Sequence, residues 1–390
     1  MHLQPADWTG LLQQALKQGV GPLLYRRVSA NDADAAIPPD FVEELRGVYM
    51  VSALRNMRLY HQLRKLLLLL QTGGIPAIVL KGAHLAEFIY RDVAVRPMQD
   101  IDIMVREEDL RATGSLLQEA GYATPPEAYP FSSDYYHLPI LVHPQFPAPV
   151  EVHRSIGDDT GPHPIDTDGL WARARPAKVI GMATLVLSPE DLLLHMSLHA
   201  SVQHKFEVGL IHLCDIAEIT RRYGAEMDWD QVGRRSCAWG AARGVYLTLR
   251  FAKNFLGAVV PDGALETMKP AGFKPELLDW ACERILYRDT LKCDALIPPG
   301  LARWCTLSHL GDRVALLLRV LLPSRHVMAE KYRVAADSPR LYARYPANLA
   351  SLFLRNARPV WKLLRCDGEM PERLDLTNRQ EFLTNWLAAP

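Results

Sequence analysis

Neither a disulfide framework nor a metal knuckle is written into this sequence. Its cysteines, Cys214, Cys237, Cys282, Cys293, Cys305 and Cys366, lie far apart, and no two form a Cys-x-x-Cys pair. In a chain of 390 residues that spacing fits reduced thiols and a cytoplasmic setting. Long hydrophobic runs are missing as well. Leu66–Leu70 and the Arg-interrupted Val314–Leu322 are the longest, whereas a bilayer span takes about 20 apolar residues in a row. The first residues, Met1 to Asp7, show no charged region followed by an apolar core, so no signal peptide is expected. There is no internal repeat and no low-complexity tract. Hydrophobic residues at 49% and charged residues at 23% exclude a disordered or fibrous chain. Net charge is absent too, since 44 Lys plus Arg balance 44 Asp plus Glu, and the molecule as a whole has no polyanion-binding charge.

Charge is nevertheless unevenly spread. Between Leu301 and Arg365 there are twelve Lys or Arg against three Asp or Glu. This stretch is where an anionic partner is expected, with a solvated helical face as the plainer explanation. Upstream, apolar residues from Phe41 to Gln71 recur at helical spacing and stop at Thr72-Gly73-Gly74. Ile75 to Leu80 reads as a short strand ending at Lys81-Gly82, and Ala83 to Tyr90 as a helix. Gln99 to Val105 alternates polar and apolar residues, which is strand period, and Glu107 to Ala120 is helical again. Tyr135–His143 and Val150–His153 read as strands around a proline-rich turn. From Ser188-Pro189-Glu190, a helix start with proline in its first position, the chain turns almost wholly helical. The expected organisation is a helical arm at 1–71, an α/β core at 72–188, a helical domain at 189–296, and a basic helical extension at 297–390.

Chemistry concentrates in the α/β part. Asp100 and Asp102 flank one residue of a strand, so their side chains share a face while Ile101, Ile103 and Val105 share the other. Two carboxylates on one face repel, and a divalent cation between them relieves that cost. Mg²⁺ is the expected ion because it takes oxygen ligands and shares them with phosphates. Glu151, polar between Val150 and Val152, is the candidate third acid. Val79-Leu80-Lys81-Gly82 is a strand running into a glycine turn, a place where backbone N–H groups can approach phosphate, with Lys81 as a nearby point charge. Arg96 is a further candidate for triphosphate contact.

The segments LKGAHLAEFIY, RPMQDIDIMV and VEVH together resemble the nucleotidyltransferase superfamily that includes DNA polymerase beta. More narrowly, the chain is similar to a large, mostly uncharacterised bacterial nucleotidyltransferase family with LKG, R-x-x-x-D-h-D and [DE]-h-H motifs, h being apolar. Lincosamide and aminoglycoside nucleotidyltransferases share the Arg-containing piece. The likeness spans roughly residues 45–225. Gly82 is followed by Ala83 where many superfamily members have a second Gly or a Ser, and the third acid is Glu rather than the commoner Asp. The resemblance implies an α/β (α+β) fold: a polymerase-beta-like core with a small mixed sheet, flanked by a helical arm and a helical domain. It also implies a Mg²⁺-dependent nucleotidyltransferase, with Mn²⁺ as a substitute ion. Asp100, Asp102 and Glu151 would hold two metals, and Lys81, Gly82 and Arg96 would bind the nucleotide. A nucleoside monophosphate, by family habit AMP from ATP, would pass to a hydroxyl of a small-molecule or peptide acceptor. Some members stand in natural-product biosynthesis.

Other readings of the residues stay open. His153 shares the strand face of Glu151 and is a partner that orients the metal-holding acids, a base or a buried, hydrogen-bonded histidine. Asp215, on an otherwise apolar helix, reaches into the cleft or pairs with Arg221 or Arg222. His195 and His199, spaced i, i+4 with His204 and His212 following, read as core or cleft-lining residues more than as a zinc site, since no Glu follows His195. Tyr129, Phe131, Tyr135 and Tyr136 line an acceptor pocket or simply pack. The competing functions are a toxin-like or protein- or RNA-modifying nucleotidyltransferase, suggested by the basic 301–365 region, and a non-catalytic nucleotide-binding module.

Overall fold

The computed structural model describes residues 5–30, 37–126, 136–146, 148–157, 163–286, 311, 321, 323–332, 338–351 and 370–388. Three helices lead the chain: α1 (Pro5–Lys17), α2 (Gly21–Ala30) and the long α3 (Pro39–Thr72). Proline opens α3, where its missing N–H costs nothing. Gly73 and Gly74 close it, Gly74 at a φ of +70°.

One five-stranded mixed sheet follows in the order β3-β2-β1-β5-β4. The strands are β1 (Ile78–Val79), β2 (Ile101–Met104), β3 (Val150–His153), β4 (Arg175–Val179) and β5 (Met182–Val186). β1 runs antiparallel to β2 and parallel to β5, and β2 runs parallel to β3. The short helix α4 (Lys81–His84) and a π-turn at Leu85–Ile89 connect β1 to the loop before β2. α5 (Leu110–Glu119) lies between β2 and β3, and α6 (Thr167–Arg173) precedes β4. The 135–143 strand is replaced, over its described part, by isolated bridges such as Leu141 to Val150 and His137 to His153.

Strand alternation divides two cores. Val79, Ile101, Ile103, Val150 and Val152 join Leu59, Leu63, Leu66, Leu67 and Leu70 of α3 and Leu117 of α5. Ile78, Leu80 and Met104 join the helices that follow the sheet. Those are α7 (Pro189–Leu198), α8 (Ile211–Tyr223), α9 (Trp229–Ala238), α10 (Ala242–Leu256) and α11 (Asp262–Met268). The Ser188 hydroxyl caps α7 by accepting from the Asp191 N–H. A second π-turn, His199–Gln203, extends α7.

The chain divides into two compact units, residues 1–279 and 280–389. Helix α12 (Glu276–Leu286) crosses that division. In the second unit Arg284 is buried and donates to the Gln380 side chain, to the Gln380 carbonyl and to Thr384. Most of the basic 301–365 region lies outside the described residues. Among the described residues no helix is long and apolar enough to cross a membrane.

Candidate active site

The neighbouring strands β2 and β3 bring the acids together. In the β2–β3 register Asp102 stands opposite Glu151 and Met104 opposite His153. Parallel pairing puts Asp102, Glu151 and His153 on one face, because side chains two apart point the same way. The other face is the α3 core, so the sheet is apolar on one side and acidic on the other at this edge.

Four side chains converge. The Lys81 Nζ lies 2.7 Å from Asp102 Oδ1 and 3.6 Å from Glu151 Oε2. The His153 Nε2 lies 2.9 Å from the same Asp102 oxygen and 3.4 Å from the same Glu151 oxygen. Lys81 reaches this point because the chain turns sharply after β1: its φ is +42°, in the left-handed region that costs an L residue about 1 kcal/mol. The Leu80 N–H donates to the Asp102 carbonyl at 3.0 Å and ties that turn to β2. Gly82 makes a close approach possible, since a Cβ there would lie 2.9 Å from Met98 Cγ and 3.6 Å from Arg96 Nη1. Tyr136 stacks on the His153 ring with centroids 6.0 Å apart, while Tyr129, Phe131 and Tyr135 lie outside the described residues.

The charges settle unequally. Burial opposes ionisation of Asp102, yet Lys81 and His153 outweigh it and hold the carboxyl well below the usual range. Asp100, just before β2, is pushed up to about 6, first by burial and then by the Asp102 charge. The His153 hydrogen bond lowers Glu151. Burial opposes the charged forms of His153 and Lys81, but the facing acids raise both.

Asp102, Glu151 and His153 offer ligand atoms within 4.8 Å of one another. Two carboxylate oxygens and an imidazole nitrogen on adjacent strands fit a divalent cation. Among the described residues this is the one such group, and it contains His153 and not Asp100. The nearness of His153 was legible in the alternation of Val150 to His153, whereas its shared grip on both acids was not.

Arg96 and Asp215 form a separate buried pair. Arg96 Nη2 lies 3.0 Å from Asp215 Oδ2, its Nη1 donates to the Pro97 carbonyl, and Tyr90 donates to Asp215 Oδ1 at 2.9 Å. Arg221, for its part, pairs with Glu218. The residue that sequence reasoning missed is Asn56 on α3. It is fully buried, donates to the Val93 and Arg96 carbonyls, and accepts from the Met98 N–H. Its one signal was a polar side chain on the apolar face of a helix.

His195 and His84 are buried and held neutral, chiefly by desolvation. His199, His204 and His212 cluster, with ring centroids 4.5 Å and 5.2 Å from His199. His199 Nδ1 meets Gln203 and His212 Nδ1 meets the Gly209 carbonyl.

No curated protein matches this chain. Two solved structures of the antibiotic-resistance factor ANT(2″)-Ia are similar to part of it. The crystal structure in complex with adenylyl-2″-tobramycin is 12% identical, spanning 46% of this chain and 96% of that one, with a TM-score of 0.34. The solution structure is 13% identical, spanning 51% and 98%, with a TM-score of 0.35. The family described as uncharacterised nucleotidyltransferase matches residues 4–257, which hold the sheet and every residue of the acidic cluster, and the chain belongs to that family as a transferase of the EC 2.7.7 type.

Proposed function

We propose that this nucleotidyltransferase moves a nucleoside monophosphate, AMP from ATP, onto a hydroxyl of a small-molecule or peptide acceptor. The observation that carries this reading is the convergence of Lys81 and His153 on one oxygen of Asp102 and one of Glu151. Asp102, Glu151 and His153 would hold one divalent cation, and Asp100 with Asp102 a second on the nucleotide side. Bound there, such ions neutralise phosphate charge and favour in-line attack on the α-phosphorus.

The chain's own groups do the rest. Lys81 supplies positive charge where the triphosphate enters, and the turn at Gly82 lets phosphate oxygens approach the backbone. The acceptor oxygen bonds to the α-phosphorus, the bond to the β-phosphate oxygen breaks, and pyrophosphate leaves. Glu151 is the most open of the converging acids and takes the acceptor's proton. Arg96 is assigned a positioning role, because its guanidinium is spent on Asp215 and Pro97. It fixes the loop that delivers Asp100.

Calorimetric titration of the four nucleoside triphosphates with Mg²⁺ tests this. Wild type should bind one of them, ATP on this reading, in a metal-dependent manner, and Asp102→Asn should lose that binding. Binding that survives the substitution, or that ignores the metal, would remove the acidic cluster from the reaction.

A further inference from the structure

Helix α3 has an outer face that the acidic cluster does not use. From Leu45 to Thr72 its charged residues are Arg46, Arg55, Arg58, Arg64 and Lys65, with no Asp or Glu. Its inner face fills the core beneath the sheet. On the outer face Met50, Val51, Leu54 and Met57 are 49–66% exposed. Positions i, i+1, i+4 and i+7 are adjacent on a helix, so these side chains form one stripe rather than scattered exposures.

The stripe runs into a cavity of about 590 Å³ lined by Met57, Tyr60, Arg64, Glu87, Arg91 and Val93. That volume lies within the usual range for a ligand pocket, about 300–1,000 Å³. The acids near it are already engaged. Glu87 accepts the Ile180 N–H at 3.1 Å and 3.2 Å, and Asp92 accepts from Tyr49 and from the Ala94 N–H. The cations are not. None of the side-chain hydrogen bonds or ion pairs among the described residues involves the guanidinium of Arg58, Arg64 or Arg91. The surface therefore offers apolar contact, a hole and unspent positive charge.

We propose that this face docks an acidic amphipathic helix of a partner protein. Met50, Leu54 and Met57 form a ridge along which a second helix can lie, the arrangement of helix-in-groove recognition. A large apolar side chain of the partner fills the cavity, and its acids meet Arg58, Arg64 and Arg91. Such rim charges steer the encounter, and the apolar anchor supplies most of the affinity. A bilayer fits less well, because a flat surface leaves the cavity unfilled. A second copy of this chain would set the same cations against one another across a twofold axis. Asp102 and Glu151 lie on the opposite face of the sheet, so the docked helix leaves them open.

The probe is a fluorescent helical peptide of about 18 residues, with Leu at i, i+3, i+4 and i+7 and Glu elsewhere. A matched peptide with Lys for Glu is the control. Wild type should bind the Glu peptide saturably and ignore the Lys peptide. Leu54→Gln/Met57→Gln and Arg64→Glu/Arg91→Glu should each weaken binding about tenfold or more. All these positions are exposed, so melting temperature should hold and nucleotide titration should be unchanged. That separates a failure here from a failure of the nucleotidyl-transfer reading. Equal binding by the variants, binding of the Lys peptide, or no binding of the Glu peptide to wild type would overturn the proposal. So would vesicle binding (phosphatidylcholine with phosphatidylserine), or self-association, that the same substitutions abolish while the peptide stays unbound.

Discussion

Asp100 and Asp102 carry the same side chain two positions apart, and their surroundings send them in opposite directions. Asp102 gains Lys81 and His153 and stays ionised below the usual range. Asp100 is partly buried beside that negative charge and is pushed up to about 6. An unfolded Asp titrates near about 3.9. Between about pH 4 and pH 6 the folded chain therefore holds more proton at Asp100 than the unfolded chain does, and stability falls as pH rises through that window. Asp102 has the reverse sign: its contribution is complete above the unfolded value and is lost as pH falls below about 4 towards its folded pKa. Asp100→Asn should thus flatten the decline between pH 4 and 6 in metal-free protein, and raise the melting temperature above pH 6. Thermal melts in chelator across pH 4 to 8 read this directly. A variant that melts at or below wild type at pH 7.5 would mean that Asp100 is not the strained acid. Such a residue is kept at a cost to stability where function needs the charge.

At the scale of elements, the loop between the first π-turn and β2 is held from two sides. Asn56 of α3 grips the backbone of Val93, Arg96 and Met98, while Asp215 of α8 grips the Arg96 side chain. Replacing Asn56 with Leu leaves two carbonyls and an N–H without partners in a dry site. The expected loss is about 2–3 kcal/mol in urea unfolding, with weaker nucleotide binding because Asp100 is no longer fixed. Unchanged stability would show that water takes over the three groups. These long-range grips also mark where sequence reading stops. Helix α3 was legible from its periodicity and its double-glycine stop, and β2 from strict alternation, although the strand begins at Ile101 and leaves Asp100 just before it. The β4–β5 hairpin was not expected: Arg175-Pro176-Ala177-Lys178-Val179 has little apolar patterning, as its mostly open edge position allows. The π-turn at Leu85–Ile89 hides inside a helical pattern, since one wider turn leaves the spacing of apolar residues nearly intact. The pairing of Arg96 with Asp215 joins residues 119 apart, and no local pattern encodes which distant acid a buried arginine meets. The acidic cluster was legible as residue types; its convergence on two oxygens required the parallel register of β2 and β3.

For the whole molecule, the division into two compact units sets how much of the chain nucleotide binding requires. The sheet, both of its cores, the acidic cluster and the Arg96–Asp215 pair all lie within residues 1–279. The family match ends at residue 257, inside the same unit. The second unit is tied together by its own contacts, Arg284 with Gln380 and Arg379 with Glu283. A unit with its own core can fold alone, and domains of 50–250 residues or a little more commonly do. A chain ended after Leu286 keeps helix α12 whole, and Arg284 then meets water in place of Gln380. That shortened chain should bind Mg²⁺ and nucleoside triphosphate within about threefold of the full-length protein, a difference below about 1 kcal/mol. Calorimetry on both chains under one buffer decides it. A loss beyond about tenfold would put part of the nucleotide pocket in residues 287–390, and the sheet-borne cluster would then be only half of the site.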